Sequence, residues 1–176
     1  MGKVIALDYG MKRTGIAISD ENKTFAFPHS TIETNGIINC VESIIKKESV
    51  DLFVIGYPKK LNNTHFPIAK EIELLKEKII KTFGLDVVLI DERYTSKMAS
   101  SVIAKSGLPK NKRKNKALID KISATIILQD YFKYLNVRSW PYLSLEQHSF
   151  LSFEHEDFFS EESLQHFFSD EEQASF

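Results

Sequence analysis

The chain opens with two short apolar runs on either side of a polar turn. They cover residues 4–7 and 15–19, with the sequence GMKR between them. Short apolar runs bounded by glycine and charged residues are typical of buried β-strands, so this segment predicts a hairpin. Residues 24–31 predict a third strand. The first part of the chain is therefore expected to form an antiparallel meander.

After residue 36 the pattern changes to alternating helices and strands. Helical spacing places Ile37, Val41, Ile44 and Ile45 on one face of a first helix. The strand DLFVIGYP, the amphipathic helix FPIAKEIELLKEKIIKTFG ending at Gly84, and the strand DVVLIDER follow. A helix over TSKMASSVIAKSG, capped by Thr95 or Ser96, a basic loop LPKNKRKNK and a final helix ALIDKISATIILQDYFKYL complete the order.

This order predicts an α/β fold. Strands separated by helices are expected to be parallel, because a parallel pair needs a crossover connection. The prediction is a mixed five-stranded sheet, with a three-stranded antiparallel meander and two parallel strands, flanked by helices.

Composition narrows the class of protein. The 176 residues are enough for one domain with a substantial core. Cys40 is the only cysteine, which excludes an internal disulfide and fits a reducing compartment. The first residues lack a signal-peptide pattern, and no apolar run approaches the ~20 residues that a membrane helix needs. We expect a soluble cytoplasmic protein without a membrane partner.

Charge divides the chain near residue 136. Residues 1–136 contain 22 basic and 15 acidic residues, whereas residues 137–176 contain one basic and nine acidic residues. A basic body favours a polyanionic partner. The sequence therefore predicts a domain over 1–136 and an acidic, phenylalanine-rich extension over 137–176. The extension is expected to be flexible, to fold back on the basic body, or to dock a partner.

Three apolar segments each deliver a carboxylate. Asp8 follows VIAL, Asp91 and Glu92 follow VVLI, and Asp120 lies early in the last helix. An unpaired carboxylate is costly in an apolar setting, and such oxygens suit Mg²⁺ or Mn²⁺. The ends of adjacent strands converge in such a sheet, so these carboxylates are expected to meet in one cleft. Two ions bound there about 4 Å apart would hold both oxygens of a phosphodiester during hydrolysis.

Each carboxylate also has a simpler interpretation. Asp8 is equally well placed to be a turn or cap residue, and DER is equally well an ordinary charged loop. Asp120 has candidate ion-pair partners in Lys116, in Lys121 and in neighbours in space. The sequence alone leaves both interpretations open.

Two polar segments are candidates for binding phosphates. GYPKKLNNT, which includes Asn62, follows a strand end and offers amides and backbone N–H groups. KNKRKNK supplies five cations within seven residues, among them Lys112, Arg113 and Lys114. A polar turn and a solvated basic loop remain the alternatives.

Four ordered blocks resemble one known family. LDYGMKRTGIAISD, IGYPKKLNNT, DERYTS and KNKALIDKISATIILQDYF are together similar to the YqgF-like family. That family is described as Holliday-junction resolvases and as nucleases that process the precursor of 16S ribosomal RNA. The resemblance covers roughly residues 3–135 and implies a ribonuclease-H-like fold.

The resemblance also implies roles for individual residues. Asp8, Glu92 and Asp120 match the family's three metal-binding acids, with Asp91 a weaker candidate for the second. Arg93 and Thr95 lie in the DERxT signature and are expected to orient the site or contact the substrate. Lys12 and Arg13 in the first turn are expected to contact phosphate. The block GYPKKLNNTH departs from the family's GLP and Gly-Thr pattern, which weakens the role of that loop.

The resulting hypothesis is a nuclease that uses one or two Mg²⁺ or Mn²⁺ ions. Its expected substrate is structured RNA, as in maturation of the 5′ end of pre-16S ribosomal RNA, with ribosomal particles as partners. Branched DNA is the alternative substrate, and the protein is expected to be a monomer or a homodimer. Two other classes stay open: an ATPase or kinase of the actin and sugar-kinase type, and a non-catalytic RNA-binding assembly factor.

Overall fold

The computed structural model describes residues 2–58, 67–91, 95–105 and 114–138. The strands are β1 (Lys3–Tyr9), β2 (Arg13–Ser19), β3 (Ala26–Glu33), β4 (Val50–Tyr57) and β5 (Asp86–Asp91). The helices are α1 (Ile37–Lys47), α2 (Pro67–Phe83), α3 (Thr95–Lys105) and α4 (Lys116–Arg138), and a 3₁₀ turn (Thr34–Gly36) precedes α1. Most of the basic loop, the polar segment after β4 and the extension from residue 139 lie outside the described residues.

The five strands form one sheet in the order β3-β2-β1-β4-β5. β1 pairs antiparallel with β2, and β2 antiparallel with β3. β4 lies parallel to β1 on one side and to β5 on the other. The predicted meander with two added parallel strands is confirmed. This is the sheet arrangement of the ribonuclease-H-like fold.

Helices cover both faces of the sheet. Residues of β1 point alternately into two cores, one on each face of the sheet. Ile5 and Leu7 belong to the core formed with α1 and α2, whereas Val4 and Ala6 belong to the core formed with α4. α3 packs on the far side of α4 through a smaller cluster that includes Ile103 and Ile126. Helix α4 is therefore covered on two sides, which explains why its residues 122–129 are all buried and its apolar residues encircle it.

The β2–β3 connection differs from the sequence prediction. The third strand was predicted over residues 24–31, but it begins at Ala26 and ends at Glu33. The cause is the Asp20 carboxylate, which accepts hydrogen bonds from the backbone N–H groups of Thr24 (2.8 Å) and Phe25 (2.7 Å). These bonds keep residues 20–25 in a turn, so the strand starts two residues later.

Helix α2 ends where its sequence predicts. Gly84 has a φ of +67°, and its N–H donates to the carbonyl oxygen of Ile80 over 2.9 Å. A left-handed glycine with this bond is a common end of an α-helix. Within the part of the chain that the structure describes, no helix is both long enough and apolar enough to span a membrane.

Candidate active site

Asp8 lies on the central strand of the sheet, one residue before its end. Its strand pairs with β2 so that Asp8 is opposite Gly15. Strand alternation gives Asp8 the same face as Val4 and Ala6, which is the face covered by α4. Asp8 is half-buried. The first predicted acid is thus part of a rigid strand rather than of a turn.

Gly15 allows α4 to approach the sheet beside Asp8. A Cβ atom built on Gly15 would collide with the backbone carbonyl group of Asp120. Only a residue without a side chain leaves room for the helix backbone at this point. Asp8 and Asp120 therefore flank Gly15 on one face of the sheet, although 112 positions separate them in sequence.

The first turn of α4 is held in place by two further bonds. The Asn115 side-chain oxygen accepts a hydrogen bond from the N–H of Ala117 (3.0 Å), which caps the helix. The Thr31 hydroxyl of β3 donates to the carbonyl oxygen of Ala117 over 2.7 Å. These contacts fix the position of Asp120 one turn later.

Asp120 forms an ion pair with Arg13. The Nε–H of Arg13 donates to Oδ2 of Asp120 over 2.8 Å, and the two side chains are 39% and 25% exposed. Sequence reasoning offered Lys116, Lys121 or a neighbour in space as the partner, and the structure shows the neighbour in space. Arg13 itself is the first residue of β2, not a turn residue as predicted.

Asp91, the weaker candidate for the second predicted acid, is the last residue of β5. Val88 and Ile90 contact the α4 side of the sheet, whereas Val87 and Leu89 contact the α1 and α2 side. Because side chains alternate between the two faces along a strand, Asp91 belongs to the same face as Val87 and Leu89, which is the face opposite Asp8. Glu92 lies outside the described residues.

The other predicted binding residues are only partly described. Lys12 and Lys114 are exposed. Thr95 is the first residue of α3. Its role as a helix cap, offered as Thr95 or Ser96, stays a prediction. The rest, Asn62, Arg93, Lys112 and Arg113, lie outside the described residues.

Three residues with a structural role at the site escaped the sequence analysis. Asn115 and Thr31 hold α4, and Thr34 contacts the β1–β2 turn. An asparagine directly before a helix is a cap signal. The predicted helix began at Ala117, one residue after the observed start at Lys116, so the signal of Asn115 was missed. No sequence signal identifies Thr31 or Thr34, because their partners lie far away in the chain.

Tyr9 follows Asp8 and lies on the opposite face of the sheet. Burial and the nearby Glu71 carboxylate raise the pKa of Tyr9 above its ordinary value. Both effects favour the protonated phenol.

The donor set fits a hard divalent cation. Asp8 and the backbone of Asp120 both adjoin Gly15 on one face of the sheet, and carboxylate oxygens are the ligands that Mg²⁺ and Mn²⁺ prefer. Within the described ranges no three His, Cys, Asp or Glu side chains come together. Two of the three predicted acids thus share one face of the sheet.

The sheet order and the acidic pair beside its central strand define an α/β domain of the ribonuclease-H-like class. The chain belongs to the RuvX family, because the family model, described as Holliday junction resolvase, matches residues 2–134. This confirms the resemblance drawn from the four sequence blocks.

Individual relatives cover the same part of the chain. A protein of Bacteroides thetaiotaomicron is 42% identical over 134 residues, which are 76% of this chain and 97% of the relative. One of Christiangramia forsetii is 43% identical over 134 residues, which are 74% of this chain and 98% of the relative. Both bear the name "Putative pre-16S rRNA nuclease".

The similarity of this chain to solved structures is weaker than its similarity to these relatives. The T. thermophilus RuvC in complex with Holliday junction substrate matches with a TM-score of 0.49 and 10% identity. The match covers 77% of this chain and 97% of that chain. Membership of the family rests on the sequence matches.

Proposed function

We propose that this protein is a metal-dependent nuclease that hydrolyses phosphodiesters. Membership of the RuvX family makes a hydrolase of this class the expected enzyme. The observation that carries the proposal is the placement of Asp8 and Asp120 on one face, on either side of Gly15. Binding alone does not need acids here, since a carboxylate adds no attraction for phosphate.

Asp8, Asp120 and Glu92 would hold one or two Mg²⁺ or Mn²⁺ ions. When bound, the ions supply Lewis-acid activation of water and charge stabilisation at the phosphate. Glu92 is preferred over Asp91 because Asp91 belongs to the opposite face of the sheet.

Basic residues around the acids would bind the phosphate backbone. Arg13 uses its Nε–H for Asp120, and a guanidinium carries further N–H donors. These donors and the exposed Lys12 and Lys114 are suited to phosphate oxygens. We assign the same task to Asn62, Arg93, Thr95, Lys112 and Arg113 on sequence grounds.

Structured RNA is the first candidate substrate. The relatives that cover most of this domain at 42% and 43% identity bear a pre-16S rRNA nuclease name. We propose maturation of the 5′ end of pre-16S ribosomal RNA, with ribosomal particles as the setting. The second candidate is a four-way DNA junction, which the family description favours. Symmetric junction cleavage would need two sites, hence a homodimer.

The test is a paired cleavage assay with Mg²⁺ or Mn²⁺. It offers a pre-16S ribosomal RNA 5′ end and a four-way DNA junction to the wild type and to Asp8→Asn. We expect Asp8→Asn to keep its fold and to lose more activity than the roughly 10- to 100-fold that the loss of a metal ligand's outer-shell partner costs. Asp86→Asn is the matched control, because Asp86 is exposed at the opposite end of the sheet.

Each outcome assigns the function differently. Cleavage of one substrate by the wild type and by Asp86→Asn, but not by Asp8→Asn, supports the site and names the substrate. An active Asp8→Asn would remove Asp8 from the chemistry. RNA binding without metal and without cleavage of either substrate would favour the non-catalytic assembly factor. Membership of the RuvX family argues against an ATPase or kinase of the actin and sugar-kinase type. Saturable ATP binding in calorimetry would favour that alternative.

A further inference from the structure

Thr34 connects the 3₁₀ turn to the β1–β2 turn. It is the first residue of the 3₁₀ turn and only 8% exposed. Its hydroxyl donates to the carbonyl oxygen of Gly10 over 2.6 Å, and its backbone N–H donates to the carbonyl oxygen of Lys12 over 3.1 Å. One residue thus holds both ends of the turn that separates β1 from β2.

The direction of the hydrogen bonds follows from a count of protons. A threonine hydroxyl has one hydrogen to donate. The Thr34 hydroxyl donates it to Gly10, so the 3.0 Å bond to Thr14 must be donated by the Thr14 hydroxyl. Thr14 is fully buried. Loss of the Thr34 hydroxyl would therefore leave both a buried donor and a turn carbonyl without this partner.

The turn held by Thr34 adjoins the groups of the candidate active site. Asp8 lies two residues before Gly10, and Arg13 directly follows Lys12. The N–H of Gly10 donates to the carbonyl oxygen of Arg13 over 3.0 Å, which closes the turn. Arg13 then reaches Asp120 on the far helix. The position of the Arg13 backbone, and with it the ion pair, depends on this turn.

We propose that Thr34 is a positioning residue of the active site. It acts through the β1–β2 turn, which it fixes so that Arg13 aligns with the Asp120 carboxylate. Its effect on cleavage rests on the proposed nuclease function. Its effect on the Arg13–Asp120 pair does not, which allows a test without catalysis.

The primary measurement is hydrogen exchange at the Arg13 Nε–H by ¹H–¹⁵N NMR. The chain has four arginines, so the signal is assigned by its loss in Arg13→Lys. A hydrogen-bonded N–H exchanges slowly with solvent. We expect slow exchange in the wild type and in Thr34→Ser, which keeps the hydroxyl, and about tenfold faster exchange in the nearly isosteric Thr34→Val.

Thr24→Val is the control for the substitution itself. Thr24 lies in the β2–β3 turn, at the other end of β2, and its hydroxyl makes only a 3.5 Å contact with the Asn22 carbonyl oxygen. In Thr24→Val, the Arg13 Nε–H should exchange at the wild-type rate. Thermal unfolding of every variant sets a temperature at which all are folded. If Thr34→Val does not fold, Thr14→Val replaces it in the test. The Arg13 Nε–H of Thr14→Val should exchange roughly threefold faster than in the wild type.

Cleavage supplies the second measurement. Thr34→Val should lower kcat about tenfold, in the range that outer-shell partners of metal ligands contribute, and Thr34→Ser should restore it. Adding Thr34→Val to Arg13→Gln should cost little more than Arg13→Gln alone, because both changes act on one ion pair. A general loss of stability would instead add to the effect of Arg13→Gln.

The outcomes separate this inference from the proposed function. Wild-type exchange of the Arg13 Nε–H in Thr34→Val, or additive losses in the double variant, would overturn the role of Thr34. A wild type that cleaves no substrate would overturn the nuclease proposal, while the exchange measurement would still decide the role of Thr34.

Discussion

Gly15 shows how one residue sets the geometry of the site. The helix backbone at Asp120 lies where a Gly15 side chain would be, and this close approach brings the second acid to the face of Asp8. We expect Gly15→Ala to lower the free energy of unfolding by about 1–3 kcal/mol, the usual cost of overpacking. It should also lower cleavage, because α4 must shift away from the sheet.

A second glycine provides the control for that prediction. A Cβ atom on Gly36 would meet nothing within 4 Å, and its backbone has a φ of −90°. Gly36→Ala should therefore change stability by less than about 1 kcal/mol, because restriction of the unfolded chain opposes the poorer helix N-cap that alanine makes. Urea unfolding of both variants measures the difference. Equal stabilities for the two variants would contradict the close approach at Gly15.

At the scale of elements, the β2–β3 turn depends on one carboxylate. Burial alone would raise the pKa of Asp20, but the backbone N–H groups of Phe25, Thr24 and Asn22 outweigh it and hold the pKa below its ordinary value of 3.8. A depressed pKa means that the ionised form stabilises the fold. This stabilisation is complete above the unfolded pKa and disappears as the pH falls through the folded value.

Asp20→Asn tests that turn. An amide oxygen accepts hydrogen bonds without a charge, so the variant should unfold at a lower temperature than the wild type near pH 6. The difference should shrink as the pH falls below 3.8, where the wild-type carboxyl becomes protonated. Calorimetric melting temperatures between pH 6 and pH 2.5 measure it. A difference that stays constant over this range would show that the charge of Asp20 does not matter.

Elements were predictable to the extent that their signals are local. Local sequence patterns predicted each strand and α-helix of the described residues, though not the 3₁₀ turn, and the left-handed Gly84 ends α2 where the sequence places it. The start of β3 was not predictable from periodicity, because the Asp20 side chain decides it. A side chain that competes for backbone N–H groups overrides strand propensity.

At the scale of the whole molecule, the candidate site was predictable in composition but not in arrangement. The sequence supplied Asp8 and Asp120, yet neither the Gly15 approach nor the Arg13–Asp120 pair follows from it, since the paired residues are 107 positions apart. Contacts of this kind arise only from the register of the sheet and the path of α4. The preference for Glu92 over Asp91 came from the family resemblance, and the alternation of β5 around Ile90 adds only that Asp91 belongs to the face opposite Asp8.

Charge is unevenly distributed over the whole chain, and this bears on the proposed binding of nucleic acid. The residues after Arg138 contain nine acidic and no basic residues, whereas the full chain has a net charge of −1. Replacing those nine acids with Asn and Gln in the full-length protein leaves a strongly basic molecule. We expect this variant to bind RNA several-fold more tightly at low salt, because the acidic extension competes with phosphates for the basic body.

The salt dependence and a matched variant identify the cause. The gain should fade as salt rises, since the Debye length shortens from about 10 Å at 0.1 M to about 3 Å at 1 M. Replacing the seven phenylalanines of the same segment with alanine keeps every charge and should leave RNA affinity unchanged. Fluorescence anisotropy across a salt series measures both variants. If only the phenylalanine variant binds RNA more tightly, the extension acts by apolar docking. If neither variant changes RNA affinity, the extension does not affect RNA binding.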